Sequence, residues 1–220
     1  MRRVVLLGLV AVVVLAAGSA SAQWSLGMRM VGTGNYFPYL PLMQAIAEDG
    51  GMIVADAGLF GYKEFIVGYD TGTLCLEGSF AYDNFGSTFT DESGDYENDL
   101  TWWYGGASVL YKFMTGQTYD VSGGVRFQYG SSQVKFTHPP VLREDVEETL
   151  KGNSTQFSVP IRFMWMPGDG NFAIGPEVAF KYTTGSTEYE VSQGGQSFSQ
   201  DGPEYTGFDT EYSLVMKFMF

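Results

Sequence analysis

The chain has 220 residues, a formal net charge of −13, 16% aromatic residues, 29 glycines and only 17% charged residues. Bulk negative charge disfavours nucleic acid and anionic lipid headgroups as partners, and a single cysteine with a single histidine allows neither an intramolecular disulfide nor a spaced His pair for zinc. A composition rich in aromatics and glycine suits many short strands and turns, at a length that one all-β domain fills.

Residues 1–22 read as a cleaved secretory signal. Arg2 and Arg3 give the basic start, residues 4–17 are almost wholly apolar, and Ala20-Ser21-Ala22 is a small-residue processing site. The folded domain is therefore expected over residues 23–220. Gln23 rather than a Cys stands directly after the processing site, so no lipid-anchored product is expected. After Gln23 no window approaches the roughly 18 apolar residues that a membrane helix needs, which leaves a soluble protein or a barrel.

Alternation of apolar and polar residues marks eight candidate strands. The first, 24–33, sets Trp24, Leu26, Met28 and Met30 against Ser25, Gly27, Arg29 and Val31; the second, within 57–69, sets Phe65, Val67 and Tyr69 against Glu64, Ile66 and Gly68. A turn at Asp70-Thr71-Gly72 leads to the third, with Leu74, Leu76, Phe80 and Tyr82 opposite Cys75, Glu77, Ser79, Ala81 and Asp83. The fourth, 101–113, places Trp103, Ala107, Val109, Tyr111 and Phe113 outward and Ser108 and Lys112 inward. The fifth, 118–130, opposes Val121, Val125 and Phe127 to Asp120, Ser122 and Arg126, and the sixth, 155–166, opposes Phe157, Val159, Ile161 and Phe163 to Gln156, Ser158 and Arg162. Turn residues follow at Pro167-Gly168-Asp169-Gly170-Asn171. The seventh opposes Phe172, Ile174, Val178, Phe180 and Tyr182 to Glu177 and Lys181. The eighth, 208–220, has Phe208, Tyr212, Leu214, Met216, Phe218 and Phe220 on one side and Asp209, Glu211, Ser213 and Lys217 on the other.

Links after the second, fourth and sixth strands are expected to be short, about two to five residues, and the other links long, roughly fifteen to twenty-five, which is the asymmetry of an outer-membrane barrel. Aromatics gather at the strand ends. Trp24, Tyr69, Tyr111, Tyr119, Trp165 and Phe172 mark one rim, and Tyr82, Trp103, Tyr129, Phe157 and Tyr182 the other, as interfacial girdles do. A soluble sandwich also alternates, but has no reason to band aromatics at two heights.

This pattern resembles the small eight-stranded outer-membrane barrels of the OmpA/OmpX type. The likeness rests on the leader, the eight alternating segments and the terminal Tyr212-x-Leu214-x-Met216-x-Phe218-x-Phe220. It implies an all-β, eight-stranded antiparallel transmembrane β-barrel with long extracellular loops, placed in the bilayer beside outer-membrane lipid and lipopolysaccharide. It further implies that Tyr212, Leu214, Met216, Phe218 and Phe220 serve as the signal read by the barrel-assembly machinery.

The inward set collects opposite charges: Arg29, Lys112, Arg126, Arg162, Lys181 and Lys217 against Glu64, Glu77, Asp120, Glu177, Asp209 and Glu211. An eight-stranded barrel is just wide enough for side chains to fill it, and enclosed charges have to pair or face water. The expected result is an ion-paired, plugged lumen in a non-enzymatic protein whose role is structural and interactive at the surface. A narrow ion path lined by the same groups, or a channel for small apolar solutes, is the alternative. Catalysis is the third reading, because lipid A deacylases resemble the chain in scaffold and use a Ser/His/acid set. Here that set reduces to His138 with Ser131, Ser132 and Glu144 in one loop region, and sequence proximity does not make a triad.

No cofactor is expected, since no phosphate-loop pattern occurs. The acids at Asp91-Glu92, Asp95, Glu97 and Asp99, and at Glu144-Asp145 and Glu147-Glu148, are read as solvated loops; the first lacks the spacing of a calcium loop. Residues 36–47 are apolar by contrast, with a short helix allowed from Pro41; they are expected to pack over the barrel mouth or to contact an unknown surface ligand.

Overall fold

The computed structural model describes residues 23–32, 60–91, 94–137, 146–168, 170–193 and 195–220. The leader, the apolar segment 36–47, His138 and Glu144 lie outside these residues. Eight strands follow one another: β1 (Gln23–Gly32), β2 (Phe60–Asp70), β3 (Leu74–Asp91), β4 (Gly94–Thr115), β5 (Tyr119–Thr137), β6 (Val146–Trp165), β7 (Phe172–Gln193) and β8 (Gln196–Met219). Each pairs with its sequence neighbour and β1 pairs antiparallel with β8, so the sheet closes on itself. At the seam, Trp24 N donates to Phe220 O at 3.2 Å and Phe220 N to Trp24 O at 2.9 Å.

Three tight turns sit at one end. Between β2 and β3, Gly72 takes φ 87°, a left-handed conformation that glycine adopts without strain, and its N–H donates to Asp70 Oδ1 at 2.7 Å. Gly116 N donates to Tyr119 O at 2.7 Å in the β4–β5 turn, and Gly168 and Gly170 also have positive φ between β6 and β7.

At the other end two of the four expected long loops, after β3 and after β7, are replaced by tight hairpins. Residues 92–93 alone link β3 to β4, and 194–195 link β7 to β8, because the strands run on as hairpins through stretches that read as loops in the sequence. Strand β7 has 22 residues and β8 has 24, whereas a tilted strand crosses a bilayer in about 9–11. Beyond that height both faces lie outside hydrocarbon, so the apolar-polar alternation fades and only hydrogen-bond pairing remains to mark a strand. Asp91, Asp95, Glu97 and Asp99 thus lie toward a hairpin tip, in registers such as Thr90↔Asp95 and Gly86↔Asp99.

Alternation across the pleat fixes which residues look out. Phe65, Tyr111 and Phe180 are 62%, 54% and 57% exposed, whereas the chain neighbours Glu64, Ala179 and Lys181 are buried. A continuous apolar exterior of this kind is unfavourable in water and suits hydrocarbon. Aromatics band at both heights. Trp24 meets Tyr69 edge-on at 5.0 Å and Phe172 meets Phe218 at 5.0 Å near the turns; Trp103 meets Tyr129 at 5.9 Å and Tyr182 meets Phe208 at 4.8 Å toward the hairpins.

Inside, close strand approach depends on glycine. A Cβ on Gly175 would come within 1.8 Å of Phe163 O, and one on Gly124 within 1.9 Å of Val109 O. Gly175→Ala is expected to block closure of the ladder at that point. On unheated detergent gels the native protein should migrate as a closed barrel, and the variant should lose much of that heat-sensitive shift.

Candidate functional site: the ion layer in the lumen

Every strand supplies a polar side chain to one interior layer. Glu177 of β7 is a hub: Arg29 Nε of β1 lies 3.0 Å from its Oε1, Arg162 Nε of β6 donates to Oε2 at 2.7 Å, and Arg126 of β5 forms a hydrogen-bonded ion pair with it. Glu77 of β3 is the second hub. Arg162 grips it in two-pronged fashion at 2.5 and 2.9 Å, Lys217 of β8 pairs with it, Arg29 stands 3.6 Å away and Ser108 Oγ of β4 donates at 3.2 Å. Arg29 also pairs with Glu64 of β2, and Arg126 reaches Glu211 of β8 at 3.5 Å. Two-pronged contacts of this kind use the planar guanidinium fully, as lysine cannot.

Arg29, Arg126, Arg162, Glu64 and Glu177 are each no more than 1% exposed. Withdrawing so many charges from water is unfavourable unless each finds partners, and the shared hubs provide them. Above the hubs the polar set continues, with Gln128 Nε2 donating to Glu64 Oε1 and Gln156 Nε2 to Gln128 Oε1, each at 3.0 Å.

The inward charges read from the sequence do not form one network. Lys112 and Asp120 stand apart with Asp70; the ammonium lies 3.1 Å from Asp120 and 2.6 Å from Asp70, near the short turns. Among the described residues no ion pair joins them to the central hubs. Lys181 lies 3.5 Å from Asp209 and 3.9 Å from Glu211, and Asp209 is half exposed while Glu211 is buried. Asp70, Ser108, Gln128 and Gln156 complete the site although charge parity does not single them out; in the sequence Asp70 reads only as a turn residue.

Two apolar layers bracket the central hubs. Ile66, Met164, Ala173 and Val215, with Met166 and Met219 against them, lie on the short-turn side. Val31, Ala81, Leu100, Trp102, Tyr104, Val134 and Leu150 lie toward the hairpins, with Phe136 and Tyr189 packed on them. Trp102 and Tyr104 stack at 5.9 Å. Cys75 is buried at the lower side, its Sγ 3.5 Å from Lys217 Nζ.

Of the serines considered for catalysis, Ser132 is buried inside the barrel and Ser131 faces the opposite way, in register with Asn153. On the hairpins, Lys135 pairs with Glu147 at 3.0 Å and Lys151 with Glu190. The hydrogen bond to Glu190 raises the Lys151 pKa above its ordinary value.

Strand order, register and an apolar outside with an ionic inside define an eight-stranded antiparallel barrel of the membrane-spanning type. No protein-family model matches the chain, and no curated protein matches it. Among solved structures it resembles a major outer membrane protein from Thermus thermophilus, at 13% identity and TM-score 0.49 over 91% of this chain and 100% of that one. It also resembles Ail, the attachment invasion locus protein of Yersinia pestis, at 12% identity and TM-score 0.46 over 90% and 97% of the two chains. The outer membrane protein AlkL, solved in DMPC bilayers, aligns at 13% identity and TM-score 0.43 over 92% of each chain. At such identities the fold assignment rests on this chain's own closed ladder.

Replacing Glu177 by Gln removes the charge shared by three arginines. Loss of one member of a buried ionic set costs about 3–5 kcal/mol. Urea titration of the refolded protein in lipid vesicles should show that loss for Glu177→Gln, against a small change for the half-exposed Asp209→Asn.

Proposed function

We propose that this chain is a non-enzymatic integral protein of the bacterial outer membrane, with a lumen plugged by the ion layer and a structural, surface-interacting role carried by its acidic hairpins. The apolar exterior between two aromatic bands supports the bilayer location and contact with outer-membrane lipid and lipopolysaccharide. Among the described residues no helix is long and apolar enough to cross a membrane. The outward Tyr212, Leu214, Met216, Phe218 and Phe220 of the closing segment are the proposed recognition feature for the barrel-assembly machinery.

The observation that carries the plug is the ordering of layers. Arg29, Arg126 and Arg162 converge on Glu177 between an apolar set below and another above. A hydrated ion entering from the hairpin end meets buried apolar side chains first, and one entering from the short-turn end meets the Lys112–Asp70–Asp120 group and then the lower apolar set; beyond either lie charges already engaged with one another. Conduction needs continuous hydration or substitute ligands along the path. The apolar-solute reading draws on the upper layer, where Trp102, Tyr104, Leu100 and Leu150 belong to one packed hydrophobic cluster.

Purified protein in planar bilayers is expected to give no discrete conductance steps, with transient openings appearing in Arg126→Ala; regular steps from the native protein would establish the narrow pore. Lipid A from cells expressing the protein should retain all its acyl chains, and His138→Ala should change nothing. Loss of an acyl chain that depends on His138 would make the protein an enzyme.

A further inference from the structure

A chain of hydrogen bonds in the lumen has a fixed direction. Glu64 is ion-paired with Arg29, so its carboxylate only accepts, and Gln128 must turn its Nε2 toward Glu64 Oε1, at 3.0 Å. Gln128 Oε1 is thereby left to accept from Gln156 Nε2, again at 3.0 Å. The relay ends on Gln156 Oε1, an acceptor that receives no donor from the protein although Gln156 is fully buried.

Ser158 follows two positions along β6, on the same inward face. It too is fully buried, and its Oγ has no hydrogen-bond partner in the protein. Arg126 of β5 and Lys181 of β7 both stand in register with it, and Arg126 Nε is a buried donor without an acceptor. Ionic contacts are long on this side of the ring. Arg162 holds Glu77 at 2.5 and 2.9 Å, whereas Arg126 stands 3.5 Å and Lys181 3.9 Å from Glu211. Polar groups at such separations are commonly joined through water.

The three unanswered groups define the chemistry of what joins them. Gln156 Oε1 needs a donor, Arg126 Nε needs an acceptor, and Ser158 Oγ serves as either. An anion would satisfy Arg126 but not Gln156, and a cation would be repelled by Arg126 and Lys181. Water supplies both functions, and enclosed water is how proteins satisfy buried polar atoms that lack a side-chain partner. Residues two apart on a strand are about 7 Å from each other, a gap that one or two waters close with hydrogen bonds of about 2.8 Å.

We propose that water is bound between Gln156, Ser158 and Arg126, beside the Glu177 hub, as a fixed component of the plug. It forms a closed pocket rather than part of a continuous column, because Ile66, Met164, Ala173 and Val215 stay dry on the short-turn side. This inference rests on the plugged lumen proposed above and locates where that plug is wet.

The test is solid-state NMR of the full barrel in lipid bilayers, reading magnetisation transfer from water to side chains, with urea titration of the same samples. The Gln156 and Ser158 side chains should receive water magnetisation early, and Ile66 and Val215 should not. Ser158→Ala should remove most of the transfer to Gln156 and lower the urea midpoint, since the water loses a partner. A dry, unpaired hydroxyl gives the opposite sign, because replacing it with an apolar group is neutral or stabilising. Absence of early transfer to Gln156 and Ser158 in the native protein would overturn the proposal, as would an unchanged or raised midpoint in Ser158→Ala with transfer to Gln156 retained. Early transfer reaching Ile66 together with regular conductance steps in planar bilayers would show a water column, and the plug itself would fall; a dry Gln156 without conductance sinks this inference alone.

Discussion

A carboxylate placed in the middle of a ring this narrow has neither bulk water nor room to move, so its neutralisation must come from the facing wall. Glu77 and Glu177 meet that demand by drawing basic groups from β1, β5, β6 and β8, strands far apart in sequence. The ladder of hydrogen bonds makes a ring, but any apolar filling would satisfy it. It is the shared ion pairs that tie each strand's pleat to a particular inward face. A slip of one residue would turn Arg162 or Glu177 toward hydrocarbon, which membrane energetics oppose strongly.

That coupling explains what can be read from the chain alone. Strands β5, β6 and β7 announce themselves at Val121 to Tyr129, Phe157 to Trp165 and Phe172 to Tyr182 because lipid on one side and ions on the other enforce a period of two. The same strands fall silent at Val134, Thr149 and Tyr189, where both surfaces meet protein or water and no solvent contrast remains. In sequence, therefore, the hairpins look like loops. Charge parity brings the right residues inward, yet cannot separate the Asp70–Lys112–Asp120 group from the hubs, because axial height depends on strand tilt and register rather than on sequence position.

The apolar layers are legible only in part. Ile66, Val31 and Val215 occupy the inward parity, where an apolar residue looks like an exception among charges. Once Met164 and Ala173, or Trp102 and Leu150, are brought beside them by the ring, the exceptions form two coherent groups. Such layering lowers the local dielectric around the hubs, strengthening attraction between paired charges and penalising any that lose a partner. The interior thereby gains rigidity from the combination, more than from either ingredient.

Cys75 adds a practical corollary. It is 4% exposed and enclosed by the wall near Lys217 and Glu77, and it carries the chain's one thiol. A maleimide or disulfide reagent can reach it only when neighbouring strands part, so the rate of its modification is a built-in clock for how often the ring breathes, with no label introduced by engineering.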